Sequence, residues 1–94
     1  MKDLEAALSC GVDYMINYLR IKYDVIIYNK MAPFVHPVTK EIIFCFAVKW
    51  CNRRDGWNGR IQIGESKYTP DIQQAKLEAI HLAMKWLDKN NMKK

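Results

Sequence analysis

Residues 41 to 65, EIIFCFAVKWCNRRDGWNGRIQIGE, constrain the fold more than any other stretch. Ile42, Phe44, Phe46, Val48 and Trp50 alternate with Ile43, Cys45, Ala47, Lys49 and Cys51. A period of two sends the bulky set to one face of a strand and the smaller set to the other. Asp55-Gly56 and Asn58-Gly59 are dipeptides of tight hairpins, so the chain is expected to turn and return over 59–65, with Ile61 and Ile63 inward and Arg60 and Gln62 outward. The longest uncharged apolar run, IIFCFAV, has seven residues. A bilayer crossing needs roughly 18, so the run reads as a buried strand and no membrane partner is expected.

The flanking segments change period. Leu4, Leu8, Val12, Met15 and Leu19 recur at steps of three and four, which predicts one helix over about 3–21. Gly11 interrupts it, and the helix is expected to bend or pack closely there. YDVIIY is β-branched and aromatic and predicts a strand over about 23–29. Pro33 and Pro37 then enforce a loop, and the long strand occupies 41–51. Thr69, Pro70 and Asp71 combine a capping oxygen, a tolerated first-turn proline and an acid suited to the positive helix end. They open a helix over about 70–89, whose apolar arc runs through Ile72, Ala75, Ala79, Ile80, Ala83, Met84, Trp86 and Leu87. Residues 90–94 read as a frayed tail. The expected fold is thus one α+β domain spanning 1–94, ordered α-β-β-β-α, with a three-stranded antiparallel sheet and both helices packed on one face.

The chain carries a formal charge of +5, distributed unevenly: residues 1–30 are net 0, residues 31–69 net +3 and residues 70–94 net +2. Such a balance favours acidic partners, nucleic acid first. Of the three cysteines, Cys45 and Cys51 lie about 20 Å apart on a straight strand, beyond disulfide reach. Cys10 can pair with at most one of them, and a leftover thiol suits a reducing compartment. The N-terminus lacks the basic start and long apolar centre of a secretion signal, so a cytoplasmic protein is expected. There is no CxxC, and His36 and His81 stand far apart in the chain, so no metal or other cofactor is expected.

The order of elements, together with Gly64, Ser66-Lys67, Ala75-Lys76, Ala79, Ala83 and Leu87, resembles the double-stranded RNA-binding domain. The resemblance covers nearly the whole chain in element order and about twenty residues in motif. It implies that Lys67 and Lys76 contact phosphates across a major groove, and that His36, after Pro33, lies on a loop entering a minor groove. The chain departs from the family pattern in three ways. Tyr68 to Gln74 separate Ser66-Lys67 from Ala75-Lys76, Gln73 and Gln74 stand where a lysine pair is usual, and no glycine precedes Pro33.

The residues themselves supply a second candidate. Lys49, Arg53, Arg54 and Arg60 surround Trp50 and Trp57, and arginine beside exposed aromatics suits phosphate contact, base stacking or a protein hot spot. Catalysis is not expected. A hydrolase triad, a Walker loop and a dinucleotide fingerprint are all absent from the sequence. The last helix is similar to one in ribonuclease H-like nucleases, but Lys76 occupies the position of the metal-binding acid, where it would oppose cations. The sequence therefore points to a small non-catalytic nucleic-acid-binding domain with duplex RNA the favoured ligand. The alternative is a protein-binding regulator or inhibitor of the phage or mobile-element kind, acting through the basic Trp/Arg hairpin, with a nucleic-acid-processing protein as its expected partner. A homodimer is possible through edge strands or through the Ile43, Cys45, Ala47 and Cys51 face.

Overall fold

The N-terminal apolar stripe folds as two helices rather than one. The computed structural model describes residues 2–30, 34–52 and 59–90. In it α1 spans Lys2–Ser9 and α2 spans Val12–Tyr23. Gly11 sits between them at φ 120°, ψ 159°, a conformation that side chains with a Cβ rarely adopt and that no helix contains. The break keeps the buried side in register, since Leu4 and Ala7 of α1 and Met15 and Leu19 of α2 all enter one core. Asp24 ends α2 in the left-handed region (φ 60°), and its N–H bonds the Leu19 carbonyl. The first strand therefore starts at Val25 rather than at 23, and Tyr23 is a buried helical residue.

The strand expected over 41–51 is also divided. Ile42–Ile43 (β3) pairs with Phe34–Val35 (β2) as a separate two-stranded ribbon, whereas Phe46–Asn52 (β4) pairs with Val25–Asn29 (β1) on one side and Gly59–Glu65 (β5) on the other. Between them Phe44 exchanges two backbone hydrogen bonds with Thr69, at 2.8 and 3.1 Å. The alternating pattern is continuous across 41–51, but backbone donors and acceptors need partners. The partners change at Phe44, from the ribbon to the segment leading into the last helix.

The main sheet is antiparallel in the order β1-β4-β5. With the last helix, α3 at Ile72–Lys89, the chain is an α+β protein, and the described residues form three helices, a three-stranded sheet and an added ribbon, in place of the expected α-β-β-β-α order. Asp71 caps α3 by accepting from the N–H groups of Gln73 and Gln74, both at 3.1 Å. Thr69 Oγ1 accepts from the Asp71 N–H, so the three-residue start acts as a relay with Asp71 as the cap. Ala75, Ala79, Ile80, Ala83 and Leu87 are buried on α3. They join Val25, Ile27, Phe46 and Val48 of the sheet in the same cluster as the α1 and α2 residues. Each large aliphatic side chain so buried contributes roughly 1.5–3 kcal/mol.

Ile63 is an extra residue in β5: Val48 faces Gly64 while Lys49 faces Gln62. This bulge reverses the alternation. Ile61, opposite Trp50, remains 46% exposed. Glu65, which a regular strand would place on the side of Ile61 and Ile63, instead stands opposite Ala47 and reaches Lys30 Nζ at 2.7 Å. The sheet face expected to be apolar and open is recessed. Cys45, Ala47 and Cys51 are buried, and Ile43 has left the sheet for the ribbon. Small side chains on the central strand lie between longer neighbours, among them Tyr28 opposite Ala47 and the Lys30–Glu65 pair. All three cysteines are free, Cys10 exposed and Cys45 and Cys51 buried.

Candidate nucleic-acid interface

The junction from β5 to α3 carries most of the motif resemblance, and its hydrogen bonds give several of those residues a local role. Ser66 is buried; its N–H bonds the Phe46 carbonyl at 2.8 Å, and its hydroxyl accepts the Phe46 N–H at 2.9 Å and donates to the Lys67 carbonyl at 3.1 Å. The hydroxyl thus substitutes for a carbonyl at the end of the ladder. The Lys67 N–H donates to Glu78 Oε1 at 3.0 Å, and the Gln74 amide donates to Glu78 Oε2 at 3.1 Å. These two bonds, the Lys67 one foremost, hold the Glu78 carboxyl below its ordinary range. The Lys67 side chain stays exposed, on the wall of a groove beside α3.

Lys76 is differently placed. Its ammonium bonds Asp13 Oδ1 of α2 at 3.0 Å and lies 5.9 Å from the Phe46 ring centre. The lysine side chain is 18% exposed and the aspartate 77%. A carboxylate thus stands in the solvent in front of the charge expected to meet phosphate. The first amides of α3 are held by the Asp71 carboxylate, so the helix start carries a second anion.

Lys49 and Arg60 lie on the sheet face away from the helices, opposite Gln62 and Cys51 respectively. Lys49 Nζ sits 4.9 Å from the centre of the Tyr28 ring, a cation–π contact. Arg53, Arg54 and Trp57 fall outside the described residues. Trp50 belongs to the helix side, against Trp86 with ring centres 6.2 Å apart. His36 closes the β2–β3 ribbon: its Nδ1 accepts from the N–H groups of Val38 and Thr39, both at 3.2 Å, and its carbonyl accepts from the Lys40 N–H. Lys40 occupies the left-handed region at φ 64° to complete that turn. The candidates therefore divide between surfaces. Lys49 and Arg60 share one face, Lys67 lines the α3 groove, Lys76 is held in the α2–α3 seam and His36 organises a separate loop.

Two further features lie outside the apolar periodicity of the chain. Asp3 of α1 accepts hydrogen bonds from the hydroxyls of Tyr18 (3.0 Å) and Tyr23, and pairs with Lys22 at 3.5 Å. The Tyr23 bond above all holds the Asp3 carboxyl below its ordinary value, while burial first and Asp3 second raise the Tyr23 phenol. The second feature is a stripe on α2: Tyr14 is 54% and Ile21 59% exposed, and the Tyr14 and Tyr18 rings stack with centres 6.4 Å apart. The spacing 14, 18, 21 was legible as a second helical stripe beside Met15 and Leu19, whereas nothing local links Asp3 to Tyr23.

Comparison with protein-family models, curated proteins and solved structures returned no match. Among the described residues, no group of three or more His, Cys, Asp or Glu could hold a metal, and no helix is long and apolar enough to cross a membrane.

Proposed function

We propose that the protein is a non-catalytic protein-binding module, a regulator or inhibitor whose helix-flanked antiparallel sheet is of the double-stranded RNA-binding kind without that family's phosphate clamp. The observation that carries the reading is the engagement of Lys76 by an exposed Asp13, beside an α3 start already occupied by Asp71. Gln73 and Gln74 stand in place of a lysine pair, and Lys76 is spent on Asp13 rather than left for a phosphate. Exposed apolar side chains support a protein partner: Tyr14 and Ile21 on α2, and Val35, Val38 and Ile42 on the ribbon. Pull-down with the full chain after nuclease treatment tests the reading. A stoichiometric protein partner supports it, and loss of every partner on nuclease treatment refutes it.

Duplex RNA is the second reading, favoured by the charge of +5 and by the exposed Lys67 and Arg60, with half-buried Lys49 on the same face as Arg60. A backbone reader releases counterions from each phosphate it neutralises, so its affinity falls steeply with salt. Electrophoretic mobility with duplex RNA, duplex DNA and single strands at about 50 and 200 mM salt separates the readings. Tight, salt-steep duplex RNA binding selects the second.

A further inference from the structure

Among the described residues strand β5 is paired only on its β4 side, and a sheet edge presents a row of backbone donors and acceptors to any extended chain that reaches it. Beside this edge runs a groove of about 430 Å3, walled by Glu65 and Lys67 on one side and by Glu78, His81, Leu82 and Lys85 of α3 on the other. Gly64 faces the helix at ordinary van der Waals distance. A Cβ built on it would lie 3.5 Å from Leu82 Cδ1, so the leucine forms the apolar floor next to the bare backbone. An edge strand facing a helix across an apolar floor is the geometry of strand addition. Main-chain hydrogen bonds supply affinity there, and alternate side chains of the added strand enter the groove.

The charges around the floor select the ligand. Both carboxylates of the groove are already used by this chain, Glu65 by Lys30 at 2.7 Å and Glu78 by the Lys67 N–H and the Gln74 amide. The cationic ends form no ion pair of their own among the described residues, although the Lys67 charge helps to lower the Glu78 carboxyl. Among the described residues, the Lys67 and Lys85 ammonium groups have no ion-pair partner within 4.0 Å, and exposed His81 stands one turn before Lys85. A ligand laid along β5 therefore meets exposed ammonium groups on both walls, a Glu65 carboxylate already paired with Lys30, and a Glu78 carboxylate held by two neutral N–H donors beside Lys67.

We propose that the groove between the β5 edge and α3 is the docking site for an extended acidic segment of a partner protein. The segment adds as a strand to the Gln62–Glu65 part of β5, sets an apolar side chain over Leu82 and places carboxylates against Lys67 and Lys85. The inference rests on the protein-binding reading above and names the surface and ligand chemistry for it.

The test uses the full chain and a fluorescein-labelled peptide of about eight residues, the length of a paired strand, alternating leucine with glutamate. Anisotropy measures binding, and backbone amide NMR shifts locate it. The peptide is expected to bind, moving the amides of Gln62 to Glu65 and of His81 to Lys85. Lys67→Glu with Lys85→Glu should weaken it about tenfold or more, and a peptide with lysine in place of glutamate should bind that variant better than the wild-type chain. Methylating alternate peptide nitrogens should abolish binding, because the ladder loses its donors. Both lysines are exposed, and an unchanged thermal melt of the double variant shows that folding is not the cause. The proposal is overturned by absence of binding, by shifts confined to other elements, by indifference to charge reversal, or by a duplex RNA that moves the same amides more strongly than the peptide does. Failure here is distinguishable from failure of the broader reading. A partner still captured after nuclease treatment by the Lys67→Glu/Lys85→Glu chain leaves the protein-binding module standing and removes only the groove.

Discussion

Replacing Asp3 by Ala removes the acceptor shared by Tyr18, Tyr23 and Lys22. Tyr23 is 4% exposed as a residue, and its bond to Asp3 is part-buried, so its hydroxyl loses its acceptor where water has only partial access. A buried group stripped of its partner costs about 1–3 kcal/mol. Tyr18 is only partly buried and regains solvent, so the expected total is about 2 kcal/mol. A chain of this length has roughly 5–14 kcal/mol of stability in all. At about 4–8 °C per kcal/mol for a domain of this size, the melting temperature should fall by about 8–16 °C. Asp3→Asn keeps an acceptor oxygen and should lose about half as much.

The pH dependence has a definite sign. The Asp3 carboxyl is lowered in the folded chain, so its contribution is complete above the ordinary carboxyl value of about 4 and disappears as pH falls through the folded value. The Tyr23 phenol is raised, so its contribution is complete below about pH 10 and is lost as pH rises through the folded value. Asp3→Ala should therefore flatten the acid limb. It should only reduce the alkaline limb, because burial rather than Asp3 is the larger cause of the Tyr23 shift. Urea unfolding followed by circular dichroism, as a cycle with Tyr23→Phe, isolates the pair. Additivity of the two substitutions within about 0.3 kcal/mol would refute the coupling, as would a melting temperature unchanged in Asp3→Ala.

Other substitutions probe the remaining joints. Gly11→Ala places a Cβ in open space but at φ 120°, so it should cost about 1–3 kcal/mol through backbone strain alone; an unchanged urea midpoint would show that α1 and α2 tolerate a different link. Ser66→Ala leaves the Phe46 N–H without its hydroxyl acceptor and should cost about 1–3 kcal/mol in the same assay. Asp13→Asn removes the charge in front of Lys76; duplex RNA affinity should rise and its logarithmic salt slope steepen by about one phosphate contact. An equally inert variant would show that Lys76 is not the missing contact.

The parts of this fold that were legible in the sequence are those governed by neighbours within a few residues. The apolar arc of α3 follows from the 3.6-residue period, and every residue buried on that helix lies in the expected arc. The split of Phe46, Val48 and Trp50 from Ala47, Lys49 and Cys51 follows from the period of two, which needs only a partner strand on either side. The capping sequence Thr69-Pro70-Asp71 is local chemistry, legible to within which oxygen holds the helix.

Decisions between distant partners were not legible. Gly11 costs about 1 kcal/mol relative to Ala inside a helix, which does not choose between a bend and a break; the tertiary structure takes the break, with Leu4 and Ala7 in the same core as Met15 and Leu19. The 41–51 stretch alternates without interruption, yet its backbone changes partner at Phe44, a choice made by the ribbon and Thr69. The extra residue at Ile63 turns Glu65 toward Lys30, a reversal that a count of alternating side chains does not contain. For the candidate site the same limit applies with greater effect. Sequence placed Lys67 and Lys76 together as cations at one helix start, but charge acts through space, and Asp13, brought in by another helix, decides which of the two lysines faces solvent.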